Sequence, residues 1–223
     1  MVTEATSKID NVIRDWISPL LKAEGFRKKG QRFWKIFDDH VWVIEIQRGR
    51  YNEGSNGEFT INLGVYFPEW VRALSEIPRF NHWLPVKELP AESDCFIRER
   101  LDCLVHMNPD GSYLGDKWWV VSDQTTVKDL GENIASAIST KGIEWLKELS
   151  FLEPVLCSRK KYYSMKNTWF EIVTNLCGYV HIGDLENAQV AYKAALENCV
   201  NPKEAKRDLE SWAKSKGIAR RLG

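Results

Sequence analysis

Two arginines stand two positions apart in the segment Cys-Phe-Ile-Arg-Glu-Arg-Leu at residues 95–101, whose apolar residues are typical of a strand. Side chains alternate between the two faces of a strand, so Arg98 and Arg100 share one face and Glu99 lies on the other. Two guanidinium groups side by side form a forked receptor for a phosphate or a carboxylate. The pattern has two interpretations: an anion-binding groove on this sheet face, or, the favoured one, a solvated face on which the arginines pair with acidic neighbours.

Neighbouring strands would complete such a site. Side chains that could join or wall it are Asn62, Gln47, Glu45, and Trp118 or Trp119. The leading hypothesis is a non-catalytic binding or interaction module for a small anionic ligand or a protein partner. The alternative is an enzyme acting on a phosphate- or carboxylate-bearing substrate, in which the arginine pair holds the anion and Glu45 or Glu99 acts as general base.

Other chemistry-bearing residues form no recognisable motif. The four histidines and five cysteines lack metal-ligand spacing, and Cys103 with His106 is a single C-x-x-H pair without a second pair. No G-x-S-x-G nucleophile elbow and no phosphate-binding glycine loop is present. The sequence therefore assigns no catalytic residue, and we expect no metal and no cofactor.

Charge and hydropathy bound the partners. The chain of 223 residues has 31 Lys and Arg against 31 Asp and Glu, a formal net charge of zero, whereas duplex-binding domains usually carry a basic excess. The most basic stretch, residues 26–34, interleaves cations with aromatics as single-strand nucleic-acid platforms do, but a solvated turn is the favoured interpretation. The sequence has no apolar leader and no apolar segment long enough to span a membrane. Its cysteines are odd in number and scattered, as in reduced proteins. We therefore expect a cytoplasmic protein that binds neither nucleic acid nor membrane.

The elements that must position the arginine pair follow from hydrophobic periodicity. Apolar residues at three- and four-residue spacing from Ile9 to Leu21 predict a first helix, capped by Thr3 or Thr6 and kinked or ended by Pro19. Strands are predicted at 33–37, 41–48, 58–67, 95–105 and 117–122. Helices are predicted at 125–140, 143–149, 168–179, 185–198 and 203–216, with residues 68–74 forming at least one helical turn.

The predicted fold class is α+β. It comprises an N-terminal helix, a roughly five-stranded and mainly antiparallel sheet with helices on one face, and an all-helical C-terminal extension. The predicted boundaries are an α+β domain at 1–153, a linker at 154–166 and the helical extension at 167–223. Residues 179–196 have small and aromatic residues spaced as in one tetratricopeptide hairpin, although an ordinary helix pair is favoured because one repeat cannot bury its own face.

Four segments in this order carry a family resemblance: G-F-R-K-K-G-Q-R-F-W-K, F-T-I-N-L-G-V-Y, C-F-I-R-E-R-L and D-K-W-W. Residues 8–150 or so resemble the bacterial family known as domain of unknown function 4304. The resemblance implies a shared α+β fold and a bacterial setting. It implies no reaction, because that family has no established activity.

Overall fold

A computed structural model describes residues 2–82, 84–108, 118–151, 156, 168–199 and 202–218. The protein is α+β, as the sequence predicts. Its chain forms two compact units, residues 1–66 with 89–150 and residues 67–88 with 151–223. Except for Leu156, the predicted linker at 154–166 lies outside the described residues.

The first helix runs through Pro19 by changing its winding. Helix α1 (Glu4–Val12) is capped by Thr3, whose hydroxyl accepts from the Thr6 backbone N–H, and continues as a π-helical turn and then as α2 (Ser18–Ala23). The π-turn places Pro19 in the first turn of α2, where a missing N–H is least costly. The predicted kink or stop is therefore absorbed by an irregular turn, and the apolar stripe stays on one side.

In the part of the chain that the structure describes, six strands form the sheet, and every pairing between them is antiparallel. The strands are β1 (Arg27–Lys29), β2 (Arg32–Ile36), β3 (Val41–Arg48), β4 (Gly57–Tyr66), β5 (Ile97–Arg100) and β6 (Trp119–Val121). They are ordered β1-β2-β3-β4-β5, and β6 also pairs with β4. Strand β1 was not predicted, because its three exposed cationic residues carry no apolar alternation.

One face of the sheet is the core of the first unit. Alternation along β4 places Phe59, Ile61 and Leu63, all completely buried, on that face. The helices α5 (Val127–Ala137) and α6 (Ile143–Glu148), which a π-turn joins, complete this unit together with α1. The opposite face carries polar residues beside buried apolar ones such as Trp34 and Val43.

The predicted strand at 95–105 is shorter than expected. Strand β5 ends at Arg100, and the chain turns into α4 (Leu101–Val105). Asp102 becomes buried in this turn and its carboxylate accepts from the Thr60 hydroxyl at 3.2 Å. A buried carboxylate needs such a partner, so this tertiary bond favours the helical turn over the extended backbone that the apolar residues predict.

The second unit is helical. It contains α3 (Pro68–Ser75), α7 (Trp169–Ile182), α8 (Leu185–Glu197) and α9 (Pro202–Ser215). Trp70 on α3 is fully buried and its indole Nε1 donates to the Thr174 carbonyl on α7 at 2.6 Å. This packing groups residues 67–88 with the C-terminal helices, whereas the predicted boundaries placed them with the sheet.

Local signals fix the ends of the C-terminal helices. Thr168 and Glu171 form a reciprocal capping box at the start of α7, and Gly183, with φ of 78°, ends it. Within the described residues, no helix combines the length and the apolar character needed to cross a membrane.

Candidate functional site

A row of polar side chains crosses the face of the sheet opposite the core. Strand register places five residues directly opposite one another on β1 to β5: Lys29, Arg32, Glu45, Asn62 and Arg100. Directly opposed residues on neighbouring strands share one face and lie close enough to interact. We call these five residues the polar row.

Asn62, the neutral member of the polar row, lies between Glu45 and Arg100. Asn62 is only 6% exposed, and its amide Nδ2 donates to the side-chain oxygen of Gln47 at 3.0 Å. Thr60, opposite Gln47 in the register, is fully buried. A buried amide bonded in this way is held in one orientation, so Asn62 is a fixed point of the face.

Glu45 links the polar row to the segment that begins at residue 89, just before β5. One carboxylate oxygen lies 2.8 Å from Arg32 Nε, and the other accepts from the Glu92 backbone N–H at 3.1 Å. Both oxygens are engaged by fixed partners. Glu45 therefore neutralises Arg32 and anchors the chain at Glu92.

Residues 89–96, here called the strap, run across part of the same face. Trp34 Nε1 donates to the Pro90 carbonyl at 2.7 Å, and Asp94 accepts from the Ala91 N–H at 2.7 Å. Gly64 allows the close approach, since a Cβ there would lie 2.7 Å from the Sγ of Cys95. The strap covers the sheet where β4 has no side chain.

The arginines of β5 differ in their surroundings. Arg98, opposite Gly64, has a side chain 53% exposed, and its Nη1 lies 3.6 Å from a carboxylate oxygen of Glu92. Arg100 is half-buried, and its guanidinium lies 5.2 Å from the centre of the Trp118 ring. A cation over an indole face is held in orientation as well as attracted.

The remaining predicted residues do not join the polar row. Trp119 is opposite Phe59 in the register and its ring lies 6.1 Å from the Phe59 ring, on the apolar face. Glu99, opposite Leu63, also faces that side. Burial raises the pKa of Glu99, and its carboxylate accepts from the backbone N–H of Arg100 at 2.9 Å.

Glu92 is the site residue that sequence reasoning missed. The Glu92 side chain is largely buried although it belongs to the strap. This burial and the nearby negative charge of Glu45 raise the pKa of Glu92, and the positive charge of Arg98 partly opposes that rise. The sequence gives little indication of this role, because Glu92 lies in a proline-rich connection without hydrophobic periodicity. Its proximity to Arg98 depends on how the strap folds back.

The raised pKa of Glu92 predicts a pH-dependent stability. A carboxyl whose pKa is higher in the folded than in the unfolded state stabilises the fold fully below the unfolded pKa, and this stability is lost as pH rises through the folded pKa. Glu92→Gln does not titrate. We expect the melting temperature of Glu92→Gln minus that of the wild type to become more positive between pH 4 and pH 7.

Thermal unfolding at several pH values measures this difference. Glu132→Gln is the matched control, since it removes an exposed carboxylate from α5. A difference for Glu92→Gln that stays constant or falls as pH rises would contradict the assignment.

A groove opens at the β1–β2 end of the polar row. Its volume is about 380 Å³, and its lining residues are Lys29, Gln31, Arg32, Trp34, Glu45 and Leu89. Leu89 is 43% exposed, so the groove has an apolar side next to Lys29 and the Arg32–Glu45 ion pair. Its volume is within the range of roughly 300–1,000 Å³ typical of small-ligand pockets.

The aromatic residues of the basic stretch are not arranged as a stacking platform. Phe26, Phe33 and Trp34 are each at most 5% exposed, so their rings cannot receive a base. Among the described residues, no three His, Cys, Asp or Glu side chains converge as a metal-binding group. The chemistry of this face is that of cations and hydrogen-bonding groups.

Comparison with known proteins gives the class but no activity. The sequence profile of the family "Domain of unknown function (DUF4304)" matches residues 17–148, which is more than half of the chain. The protein belongs to the DUF4304 family, as the sequence motifs indicate. No match was found among curated proteins or among solved structures.

Proposed function

We propose that this protein is a non-catalytic binding module that holds a carboxylate or phosphate of its ligand on the polar row. The observation that most supports this proposal is the positive charge of this face. The polar row with Arg98 and Glu92 has four cations and two carboxylates, an excess of two positive charges on a chain whose formal net charge is zero. Such local excess attracts anions and orients them.

Rigid surroundings support binding at this face. Arg100 is oriented by Trp118, and Asn62 is fixed by Gln47. A receptor whose side chains are already ordered loses less conformational entropy when a ligand binds. The arrangement thus favours anion recognition over a merely solvated surface.

An enzyme acting on a phosphate- or carboxylate-bearing substrate is the second candidate. Its two predicted bases fit poorly, since Glu99 faces the core side and both oxygens of Glu45 are engaged. Glu92 favours this candidate, because a carboxyl with a raised pKa lies 3.6 Å from an arginine. In that case Glu92, and not Glu45 or Glu99, is the general base.

The proposed setting is the bacterial cytoplasm. Cys95 and Cys177 are buried free thiols, which suits a reducing compartment. A neutral protein that displays one cationic face suits a role in which it engages one anionic partner, either a protein or a small molecule.

Thermal-shift measurements with phosphate, citrate, nucleotides and sugar phosphates test the proposed function. A ligand present at about 100 times its Kd adds roughly 2.7 kcal/mol to the free energy of unfolding, so binding raises the melting temperature. We expect at least one anion to stabilise the wild type and to lose that effect in Arg98→Ala/Arg100→Ala.

The matched control is Arg14→Ala/Arg72→Ala. It removes the same charge from two exposed arginines that pair locally with Asp15 and Glu69. Anion binding at the polar row would be contradicted if every anion stabilised all three proteins equally. It would also be contradicted if no anion stabilised the wild type.

A further inference from the structure

We propose that the ligand is an acidic protein segment in extended conformation, which crosses the strands and places one carboxylate at each end of the polar row. This inference rests on the proposed anion-binding function and names its partner. It follows from how the cations are distributed along the row. Their separation, the carboxylates between them and the groove at one end each restrict the ligand.

The cations form two separate ends. Lys29 and Arg32 lie on β1 and β2, and Arg98 and Arg100 lie on β5. Neighbouring strands are about 4.8 Å apart, so three strand spacings put the backbones of Arg32 and Arg100 roughly 14 Å apart, and Lys29 roughly 19 Å from Arg100. One phosphate or carboxylate is too small to contact both ends.

The middle of the face does not attract negative charge. Glu45 lies against Arg32, and Glu92 lies near Arg98, so both carboxylates lie between the outer cations. Gln47, the exposed partner of the buried Asn62 amide, adds only a neutral hydrogen-bonding group. The ligand therefore needs an uncharged centre, which an acidic peptide can have. A nucleic-acid strand would place phosphates beside both carboxylates.

The groove gives one end a second property. Leu89, whose side chain is 43% exposed, supplies apolar surface beside Lys29 and Arg32. An acidic residue with an apolar neighbour would fill this groove while its carboxylate meets Lys29 and shares Arg32 with Glu45. Protein segments commonly combine these two residue types.

Strand geometry sets the spacing of the two acidic residues. An extended peptide advances about 3.3 Å per residue, so residues four apart span about 13 Å and residues six apart span about 20 Å. Even spacing keeps both side chains on the same side of the peptide. Acidic residues four or six positions apart therefore match the polar row, whereas adjacent ones do not.

Calorimetric titration with synthetic peptides tests this inference. The probes are a peptide with two aspartates six positions apart and a neutral centre, the two peptides with a single aspartate, and one with adjacent aspartates. Because the second contact is intramolecular, we expect the six-spaced peptide to bind the wild type at least about tenfold more tightly than either single-aspartate peptide.

Variants assign the two ends. Arg98→Ala/Arg100→Ala and Lys29→Gln/Arg32→Gln should each reduce the six-spaced peptide to single-aspartate affinity, and Arg14→Ala/Arg72→Ala should not. Lys29→Gln alone removes an exposed side chain without touching the Arg32–Glu45 pair. We expect it to weaken the six-spaced peptide about threefold, in the range of an exposed charge contact.

Three results would overturn the inference. They are equal affinity for the six-spaced and single-aspartate peptides, no binding of any peptide, and an oligothymidylate that binds as tightly as the six-spaced peptide. Stabilisation by small anions is measured separately, so its persistence would leave the proposed function standing, and its absence would remove both.

Discussion

Gly64→Ala is expected to destabilise the first unit and to displace the strap. The new Cβ would lie 2.7 Å from Cys95 Sγ and 2.9 Å from its Cβ, both too close, and Cys95 is buried. Adding a methyl group to a well-packed site costs about 1–3 kcal/mol. Chemical denaturation of wild type and variant measures this loss.

A double variant separates this clash from a general backbone effect. Cys95→Ala removes the nearer contact, so Gly64→Ala/Cys95→Ala should lose less stability than the sum of the single variants. For side chains in contact we expect a difference of at least about 0.5 kcal/mol. Additive losses would show that Gly64 does not act through the strap.

Trp70→Ala is expected to have the largest effect in the second unit. Trp70 is fully buried, and its indole donates to the Thr174 carbonyl on α7. Replacing a buried tryptophan with alanine costs about 3–5 kcal/mol, from lost burial and the remaining cavity. Hydrogen exchange should show faster exchange of the α7 amides, because α3 packs on that helix.

Two further variants make the Trp70 result specific. Trp70→Phe keeps most of the side chain but loses the hydrogen bond, so about 1 kcal/mol is expected. Val190→Ala, at a position 64% exposed on α8, should stay within about 0.5 kcal/mol of the wild type. An α7 exchange rate unchanged in Trp70→Ala would contradict the grouping of residues 67–88 with the C-terminal helices.

Local periodicity predicted most of the elements. The alternation from Phe59 to Val65 places one side of β4 in the core, and that depends only on neighbouring residues. The face shared by Arg98 and Arg100 followed from the same rule. By contrast, β1 is paired only because the hairpin turn at Gly30, with φ of 62°, returns the chain to β2.

Which residues make up the polar row could not be predicted from local sequence patterns. Asn62 and Glu45 were candidates, but their alignment with Arg100 depends on register across three strands. Arg32 was assigned to a solvated turn, and Glu92 reaches the face through the strap. Contacts between residues distant in sequence depend on tertiary pairing, which spacing alone does not encode.

Arginine side-chain NMR tests the proposed anion binding most directly. During titration of the wild type with the best stabilising anion from the thermal-shift series, the Nε–Hε signals of Arg98 and Arg100 report contact at the polar row, and those of Arg14 and Arg72 serve as internal controls. Anion binding predicts saturable shifts of the first pair with little change in the second. Equal, non-saturating shifts of all four, or shifts confined to Arg14 and Arg72, would contradict it.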